Sequence, residues 1–255
     1  MIDSHVHLDD PAFDYDREAL IKKLPEQGIS RVYNIGADIE SSVASVKLAD
    51  EYDHVKAVIG IHPHSAKTYN DEIEEKLIEL AKNENVKAIG EIGLDYYYDN
   101  SPRDIQVEVF KKQIELAHKL GLPIVIHSRS ASQETFDIIK SSLKEYPDLK
   151  FLIHCFSQSV EMMKEYVKMG CYIALGGVVT FKNSKEPKKV AEEVPLDKLL
   201  LETDCPYLAP VPMRVKRNEP YYIKYVAEEI AKIRNISVDE LVEVTDANTR
   251  RFYDD

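Results

Sequence analysis

Two histidines stand two residues apart near the start of the chain. In MIDSHVHLDD, apolar and polar residues alternate from Ile2 to Leu8, as they do in a strand with one buried face, and this places His5 and His7 on the same face. Side chains at positions i and i+2 lie roughly 6.5–7 Å apart along a strand. Two imidazoles at that spacing can converge on one metal ion, with about 2.0–2.1 Å to each nitrogen. The pattern therefore indicates part of a metal site.

Residues of the same ligand chemistry follow several other apolar runs. They are His62 and His64 in GIHPH, Glu91 and Asp95 in AIGEIGLD, His127 in IVIHSR, His154 in FLIHCF, and Glu202 and Asp204 in LLLETDCP. A single histidine or carboxylate in such a place is more often a hydrogen-bonded structural residue or a helix cap. A whole set that meets in one place indicates a metal site instead, because buried imidazoles and carboxylates without a cation are costly to desolvate.

The pattern that repeats along the chain is a short apolar run followed by a longer amphipathic stretch. Eight such runs are IDSHVHL, RVYNIG, VKAVIGIH, VKAIGEIGLD, LPIVIHSR, LKFLIHCF, CYIALGG and KLLLETD. Strand-like runs that alternate with helical stretches indicate a parallel sheet. The sequence predicts an α/β fold, a (β/α)8 TIM barrel in a single domain over residues 1–255 with an extra C-terminal helix. The alternative is an open doubly wound sheet, which usually has a glycine-rich loop after its first strand; HVHLDD contains no glycine.

The helices late in the chain carry more specific expectations. The seventh helix is expected near residues 187–194, and two more follow the eighth strand near residues 220–234 and 238–251. Ser237 precedes the last of them with Glu240 three residues on, which predicts a capping box at its N-terminus.

A barrel of this kind brings the C-terminal ends of its strands together at one mouth. Two ions sharing a bridging carboxylate and a bridging water can activate that water for phosphoester hydrolysis. Imidazole and carboxylate ligands suit Zn²⁺, Mn²⁺, Fe or Ni better than Ca²⁺. Asp3 lies on the same face as His5. It is expected either to hydrogen-bond and orient a metal ligand without touching the ion or to be a buried polar residue near the bottom of the barrel. Six residues are the expected ligands: His5, His7, Glu91, His127, His154 and Asp204.

Composition limits the partners of the protein. The net charge of −12 argues against tight nonspecific binding to nucleic acid, which requires phosphates to be neutralised by Lys and Arg. A local exception is the rim loop PMRVKRNEP, with Arg214, Lys216 and Arg217, and the run from Tyr96 to Tyr98 offers aromatic faces on which a base could stack. Alternatively, the rim loop is simply solvated, and the tyrosine run serves ordinary packing. Three scattered cysteines, no secretory segment and no long apolar run predict a cytoplasmic protein without a membrane span.

Eight motifs in order resemble the TatD family of metal-dependent deoxyribonucleases, within the amidohydrolase-like TIM barrels. They are DSHVHLD, GIHPH, AIGEIGLDYY, LPIVIHSR, HCFS, LGGVVTFKN, LLLETDCPYLAP and KRNEP, and they span residues 3–220. The resemblance implies a 3′-to-5′ exonuclease acting on single-stranded DNA with two divalent ions, either Mg²⁺, Mn²⁺ or Zn²⁺. The implied partners are DNA ends or another phosphoester, with no membrane and no obligate protein partner.

The resemblance also implies a role for each matched residue. The first ion would be held by His5, His7, Glu91 and Asp204, and the second by Glu91, His127 and His154. Asp204 would also be the base for the attacking water, with Glu91 as the other catalytic residue. The substrate side would be lined by His64, Arg129, Asn218 and Glu219. Glu202 would support the ligands from behind or bind a further ion, and His62 would be another outer partner.

Two positions depart from the family pattern. Gln158 follows HCFS and Val215 precedes KRNEP, where the family commonly has glycine. Because glycine often marks a backbone conformation that β-branched residues resist, the two loops are expected to differ in shape.

The ligands alone leave other functions open. The same site could hydrolyse a carboxylic ester or amide, as a lactonase or an aminoacyl-tRNA deacylase does, and the basic rim loop favours phosphate only modestly. A third hypothesis is a metal-binding protein whose barrel has lost its activity, although every expected ligand is present.

Overall fold

The structure is a computed structural model that describes residues 1–255. Eight strands form one sheet in which each strand pairs in parallel with the next along the chain. The order expected for a TIM barrel is therefore confirmed. The strands are β1 (Ile2–Val6), β2 (Arg31–Ile35), β3 (Val55–Ile59), β4 (Val86–Asp95), β5 (Ile124–Arg129), β6 (Phe151–Ile153), β7 (Tyr172–Leu175) and β8 (Leu199–Leu201).

Nine α-helices lie between and after the strands. They are α1 (Arg17–Lys23), α2 (Ile39–Glu51), α3 (Asp71–Leu80), α4 (Arg103–Leu120), α5 (Ser132–Glu145), α6 (Val160–Lys168), α7 (Lys185–Glu193), α8 (Ile223–Arg234) and α9 (Val238–Tyr253). No helix combines the length and the apolar character that crossing a membrane requires.

The late helices differ from expectation only at their ends. A short 3₁₀ turn over Pro220–Tyr222 precedes α8, so that helix begins three residues later than predicted. The Ser237 hydroxyl accepts a hydrogen bond from the Glu240 backbone N–H at 3.1 Å, which confirms the N-cap of α9. The reciprocal bond from the Glu240 side chain, which would complete the capping box, is not formed.

The barrel closes where β8 meets β1. Val6 pairs with Cys205 in a parallel bridge, and the Ser4 hydroxyl donates to the Leu201 carbonyl at 2.9 Å. Just beyond β8, the Asp204 N–H donates to the carbonyl of His5 at 3.0 Å. This seam therefore brings residues about 200 positions apart in the chain into direct contact.

The extra C-terminal helix closes the N-terminal end of the barrel. The Tyr253 ring at the end of α9 stacks on Tyr33 with 3.7 Å between ring centroids, and its hydroxyl donates to the carbonyl of Ser4. Phe252 and Tyr253 belong to the small core inside the barrel, together with Ile2, Tyr33 and Ile35. With this end filled, the opposite end, where the strands finish, is the open one.

Two strands end earlier than the apolar runs suggested. β6 stops at Ile153 and β8 at Leu201. Just beyond them, Cys155 and Asp204 adopt φ values of +45° and +59°, a region that non-glycine residues seldom occupy. His154 and Asp204 therefore lie just beyond the strands, although the backbone at Asp204 and Cys205 still pairs with β1.

Candidate metal centre

The two histidines of the first motif project towards the mouth from the end of β1. Nδ1 of His7 lies 3.0 Å from the carbonyl of Ile35, which accepts its N–H and leaves Nε2 facing Asp204 Oδ1 at 3.4 Å. His5 is fully buried, and neither of its ring nitrogens has a hydrogen-bond partner. Its Nε2 lies 3.5 Å from Glu91 Oε2 and 3.7 Å from Asp204 Oδ1. A buried imidazole with both nitrogens unpaired calls for another partner.

Glu91, on β4, is the centre of the cluster. Its carboxylate is buried and surrounded by four imidazoles. The nearest nitrogens are His127 Nδ1 at 2.7 Å, His154 Nε2 at 2.8 Å, His5 Nε2 at 3.5 Å and His62 Nε2 at 3.8 Å. Burial alone would raise the pKa of Glu91, but the charge of His154 and hydrogen bonds from the surrounding imidazoles hold it well below its usual value. Glu91 is therefore an ionised carboxylate.

The imidazoles divide into two groups by their pKa. Burial lowers the pKa of His5, with repulsion from His154 adding to it, and burial lowers that of His62 well below its usual value. For His127 and His154, burial is outweighed by the neighbouring carboxylates, so their pKa values are raised. The pKa of His7 is raised to about 9, since the hydrogen bond and charge of Asp204 outweigh its burial. The carboxylates thus stabilise positive charge at the mouth, whether protons on the imidazoles or a bound cation carry it.

Three overlapping groups in the cluster have the donor atoms and the spacing to hold a metal ion. Within each group the ligand atoms lie within 4.8 Å of one another. The unpaired Nε2 of buried His5, which faces Glu91 and Asp204, fits the same interpretation. Imidazole nitrogens and carboxylate oxygens are the ligands that Zn²⁺ and Mn²⁺ accept. The groups are His5–Glu91–His154, His5–His7–Asp204 and His62–Glu91–His127.

All six residues expected as ligands fall in these groups. His62 also falls in one of them, although the sequence suggested only an outer position for it. Its Nδ1 accepts the backbone N–H of His64 at 3.0 Å, so Nε2 is the nitrogen that faces Glu91. The HPH motif therefore adds a further imidazole nitrogen to the centre.

Comparison with known proteins identifies the family to which this chain belongs. The family model described as TatD related DNase matches residues 2–254. This chain belongs to the TatD family. It is 42% identical over 253 residues to a metal-dependent hydrolase of Bacillus subtilis, YabD, with 99% of this chain and 98% of the relative covered.

Two further TatD relatives are informative. A protein of Rahnella sp. named 3′-5′ ssDNA/RNA exonuclease TatD is 33% identical over 259 residues, with 99% of this chain and 98% of the relative covered. The crystal structure of the TatD homologue YjjV from Escherichia coli superposes with a TM-score of 0.92 at 27% identity, and the match covers 100% of this chain and 98% of that one. The TatD fold and its kinship with metal-dependent hydrolases are thereby established.

Behind the TatD centre, Asp3 and Glu202 are buried and bind backbone. Asp3 Oδ1 accepts the N–H of Thr203 at 2.9 Å and that of His5 at 3.3 Å, while Oδ2 accepts the Thr203 hydroxyl. Glu202 Oε1 accepts the N–H of Cys155 at 2.7 Å and lies 3.6 Å from His154 Nδ1. Asp3 therefore fixes the seam between β1 and β8, and Glu202 fixes the turn that follows His154.

Asp95, at the end of β4, is a ligand-type residue for which the sequence predicted no role. It is fully buried, and its Oδ2 lies 2.9 Å from His127 Nε2 and 3.1 Å from His64 Nε2. Its Oδ1 accepts the backbone N–H groups of Tyr97 and Tyr98. Burial alone would raise its pKa, but these bonds lower it. The sequence signal that could have identified Asp95 is its position four residues after Glu91, on the same face of the strand.

His64 and Arg129, expected to line the substrate side, lie at the mouth beside the tyrosines that follow β4. His64 packs edge-on against Tyr98, and the Arg129 guanidinium lies over the rings of Tyr97 and Tyr98, 4.1 and 4.8 Å from their centroids. The two tyrosines are 61% and 52% exposed, so most of the Tyr97 and Tyr98 surface is open to a ligand. Tyr96 instead donates its hydroxyl to Glu134.

Asn218, expected on the substrate side, makes its side-chain hydrogen bonds within the protein. Asn218 is fully buried, and its Nδ2 donates to the carbonyls of Thr203 and Tyr207, so it ties together the loop that carries Asp204. Glu219 is half-buried and accepts a hydrogen bond from Arg217 at 3.0 Å. Asn218 has no polar hydrogen left to offer a substrate, because both are taken by the loop.

The basic rim loop is less basic than its sequence suggested. Arg217 pairs with Asp16 through two bonds of 2.7 Å, as well as with Glu219. Arg214 stacks over Phe181 and donates to a backbone carbonyl. Arg214 and Lys216 are exposed and pair with no carboxylate, so the loop keeps two of its three positive charges at the surface.

The two departures from the family pattern do not distort the backbone. Neither Gln158 nor Val215 has a positive φ, so neither position demands glycine. Val215 is 96% exposed at the tip of its loop, whereas Gln158 lines a cleft beside the metal centre.

Proposed function

We propose that this protein is a metal-dependent phosphodiesterase that removes nucleotides from the 3′ end of single-stranded DNA. The observation that carries the proposal is the buried, ionised Glu91 carboxylate, ringed by four imidazoles at an open barrel mouth that also presents Arg129. The nuclease name of the Rahnella relative supports the same reaction. No comparable concentration of buried ligand-type residues occurs elsewhere in the chain.

Two divalent ions fit the donor set. The first would be held by His5, His7, Glu91 and Asp204, and the second by Glu91, His127 and His154, with His62 close enough to Glu91 to join it. When bound, such ions activate water and stabilise the charge that develops on phosphate oxygens. Glu91 is the residue that both positions share.

Asp204 is the residue placed to take the proton from the attacking water. Burial would raise its pKa, but the hydrogen bond from His7 and the charges of His154 and His5 lower it. Its carboxylate is therefore ionised at neutral pH and can accept a proton. The proton would then pass to the 3′ oxygen that leaves when the phosphorus–oxygen bond breaks. The turn at Asp204, with its positive φ, aims the carboxylate towards His5 and His7.

A substrate panel tests the proposal. The protein loaded with Mg²⁺, Mn²⁺ or Zn²⁺ is incubated with 5′-labelled single-stranded DNA, lactones and aminoacyl-tRNA. We expect stepwise shortening of the DNA from its 3′ end, with a loss of at least about 100-fold in Glu91→Gln and Asp204→Asn. Cleavage of a lactone or of aminoacyl-tRNA, with DNA left intact, would instead favour the carboxylic ester or amide hydrolase.

A further inference from the structure

A cleft of about 470 Å³ opens between the loops that follow β5 and β6. We name it the serine cleft. His127 lies two residues before the end of β5 and His154 is the first residue after β6, so the cleft adjoins the metal centre. Its volume lies within the range of pockets that hold a small ligand or one unit of a polymer. Its lining residues are Ser128, Arg129, Ser130, Ser132, Ser157, Gln158, Ser159 and Met162.

The serine cleft presents hydrogen-bond donors and no carboxylate. None of its lining residues is acidic, in a chain with 45 acidic residues. Arg129 forms no ion pair, because its guanidinium lies over Tyr97 and Tyr98 instead. The hydroxyls of Ser130, Ser132 and Ser157 make no hydrogen bond within the protein. A cation and free hydroxyls suit an anionic, polar ligand.

The opposite side of the mouth has the reverse character. The loop after β1 carries Asp9, Asp10, Asp14 and Asp16, and both cations that contact it are already paired: Arg17 with Asp14, and Arg217 with Asp16 and Glu219. Tyr207, after β8, donates its hydroxyl to Asp10. A chain of phosphates leaving the metal centre in this direction would meet carboxylates, whereas on the side of the serine cleft it would meet Arg129.

We infer that the serine cleft binds the sugar–phosphate chain of the substrate next to the scissile bond. The inference rests on the proposed function and sharpens it, because it makes the preferred substrate an oligonucleotide rather than a mononucleotide ester or a lactone. One phosphate pairs with Arg129, while the serine hydroxyls and Gln158 contact the adjoining sugar and phosphate oxygens. The substrate strand therefore leaves the mouth between β5 and β6.

The test places a carboxylate in the cleft. Ser157 is exposed and makes no side-chain hydrogen bond, so Ser157→Glu and the neutral Ser157→Gln of the same length both leave the fold intact. Binding of 5′-fluorescein-labelled (dT)₆ is measured by fluorescence anisotropy in EDTA, so that affinity is read apart from cleavage. We expect Ser157→Glu to bind about tenfold more weakly than Ser157→Gln, through repulsion between like charges.

A second readout and a charge control complete the test. With Mn²⁺, the ratio of the KM for (dT)₆ to the KM for thymidine 5′-(p-nitrophenyl phosphate) should rise about tenfold in Ser157→Glu relative to Ser157→Gln. Ser141→Glu adds the same charge to an exposed position of α5, nine residues beyond Ser132 and about 13 Å along the helix. It should bind (dT)₆ as the unmodified protein does.

The outcomes separate the two proposals. Equal affinity in Ser157→Glu and Ser157→Gln, an equal loss in Ser141→Glu, or no binding of (dT)₆ by the unmodified protein overturns the serine cleft. Binding that is weakened only by Ser157→Glu, in a protein that cuts no DNA with any of the three metals, supports the cleft and overturns the nuclease function.

Discussion

Oδ2 of Asp95 lies 2.9 Å from Nε2 of His127, while the other nitrogen of the same ring lies 2.7 Å from Glu91 Oε1. The His127 imidazole is thus held between two carboxylates. Asp95 takes the Nε2–H, because its Oδ2 also accepts from His64 and its Oδ1 is occupied by two backbone N–H groups. Nδ1 is then the nitrogen that faces Glu91, and once it loses its proton it would be free to bind an ion there.

We predict that Asp95→Asn weakens metal binding. An amide can donate as well as accept, so the substituted residue no longer fixes the tautomer of His127, and loss of such a partner typically costs about 10–100-fold in metal affinity. Isothermal titration with Mn²⁺ measures the affinity directly. Asp99→Asn is the matched control, since Asp99 is exposed on the same loop and pairs only with Arg103. Equal Mn²⁺ affinity in the two variants would contradict this role.

Metal and protons should compete visibly for the same nitrogens. The pKa of His7 in the metal-free fold is raised to about 9 from an ordinary value of 6.5. Between these values the folded state holds more protons than the unfolded state, so the metal-free protein loses stability as pH rises. An ion needs the deprotonated nitrogen, and its stabilisation therefore grows over the same window.

Melting temperatures in EDTA and in Mn²⁺ check this between about pH 6.5 and 8.5. The EDTA curve should fall and the difference between the two curves should widen. His7→Gln, which removes the titrating group, should flatten the EDTA curve. A melting temperature that rises with pH in EDTA would show that the imidazoles are not held protonated by their carboxylates.

Asn218→Ala should act through stability and turnover rather than through substrate binding. It removes three hydrogen bonds and leaves the carbonyls of Thr203 and Tyr207 and the N–H of Glu219 unpaired, at a cost of about 2 kcal/mol or more in the free energy of unfolding. Because these carbonyls flank Asp204, kcat should fall while KM changes little. Urea unfolding and steady-state kinetics measure the two effects. Asn183→Ala, at an exposed position, is the comparison; a change confined to KM would restore Asn218 to the substrate side.

Arg129→Ala should weaken binding of single-stranded DNA and make it less sensitive to salt. A cation that contacts one phosphate of a single strand contributes about 0.7 to the slope of log affinity against log salt concentration. Anisotropy titrations of (dT)₆ at several salt concentrations give this slope. Lys111→Ala removes an exposed charge from α4, away from the mouth, and should leave the slope as it is. An unchanged slope in Arg129→Ala would mean that its guanidinium serves only to pack Tyr97 and Tyr98.

Much of the architecture could be read from the chain because it is encoded locally. Apolar runs alternating with amphipathic stretches specify strands and helices one at a time, and parallel strands joined by helices leave few topologies open. The barrel then requires the strand ends to meet. This is why His5, His7, Glu91, His127, His154 and Asp204 could be grouped from residue type and position alone, and why all six fall within one cluster.

What the tertiary structure decided is the partner of each side chain. Asn218 and Arg129 are both polar residues expected at the mouth, yet Asn218 is buried against backbone carbonyls and Arg129 lies over two exposed tyrosines. Arg217 reads as a free cation until Asp16, 201 positions away, is seen to pair with it. Asp95 becomes important only because His64 and His127 converge on one of its oxygens. Residue type and spacing determine which chemistry is available, whereas hydrogen bonds and charges act over a few ångströms, and only the folded chain sets those distances.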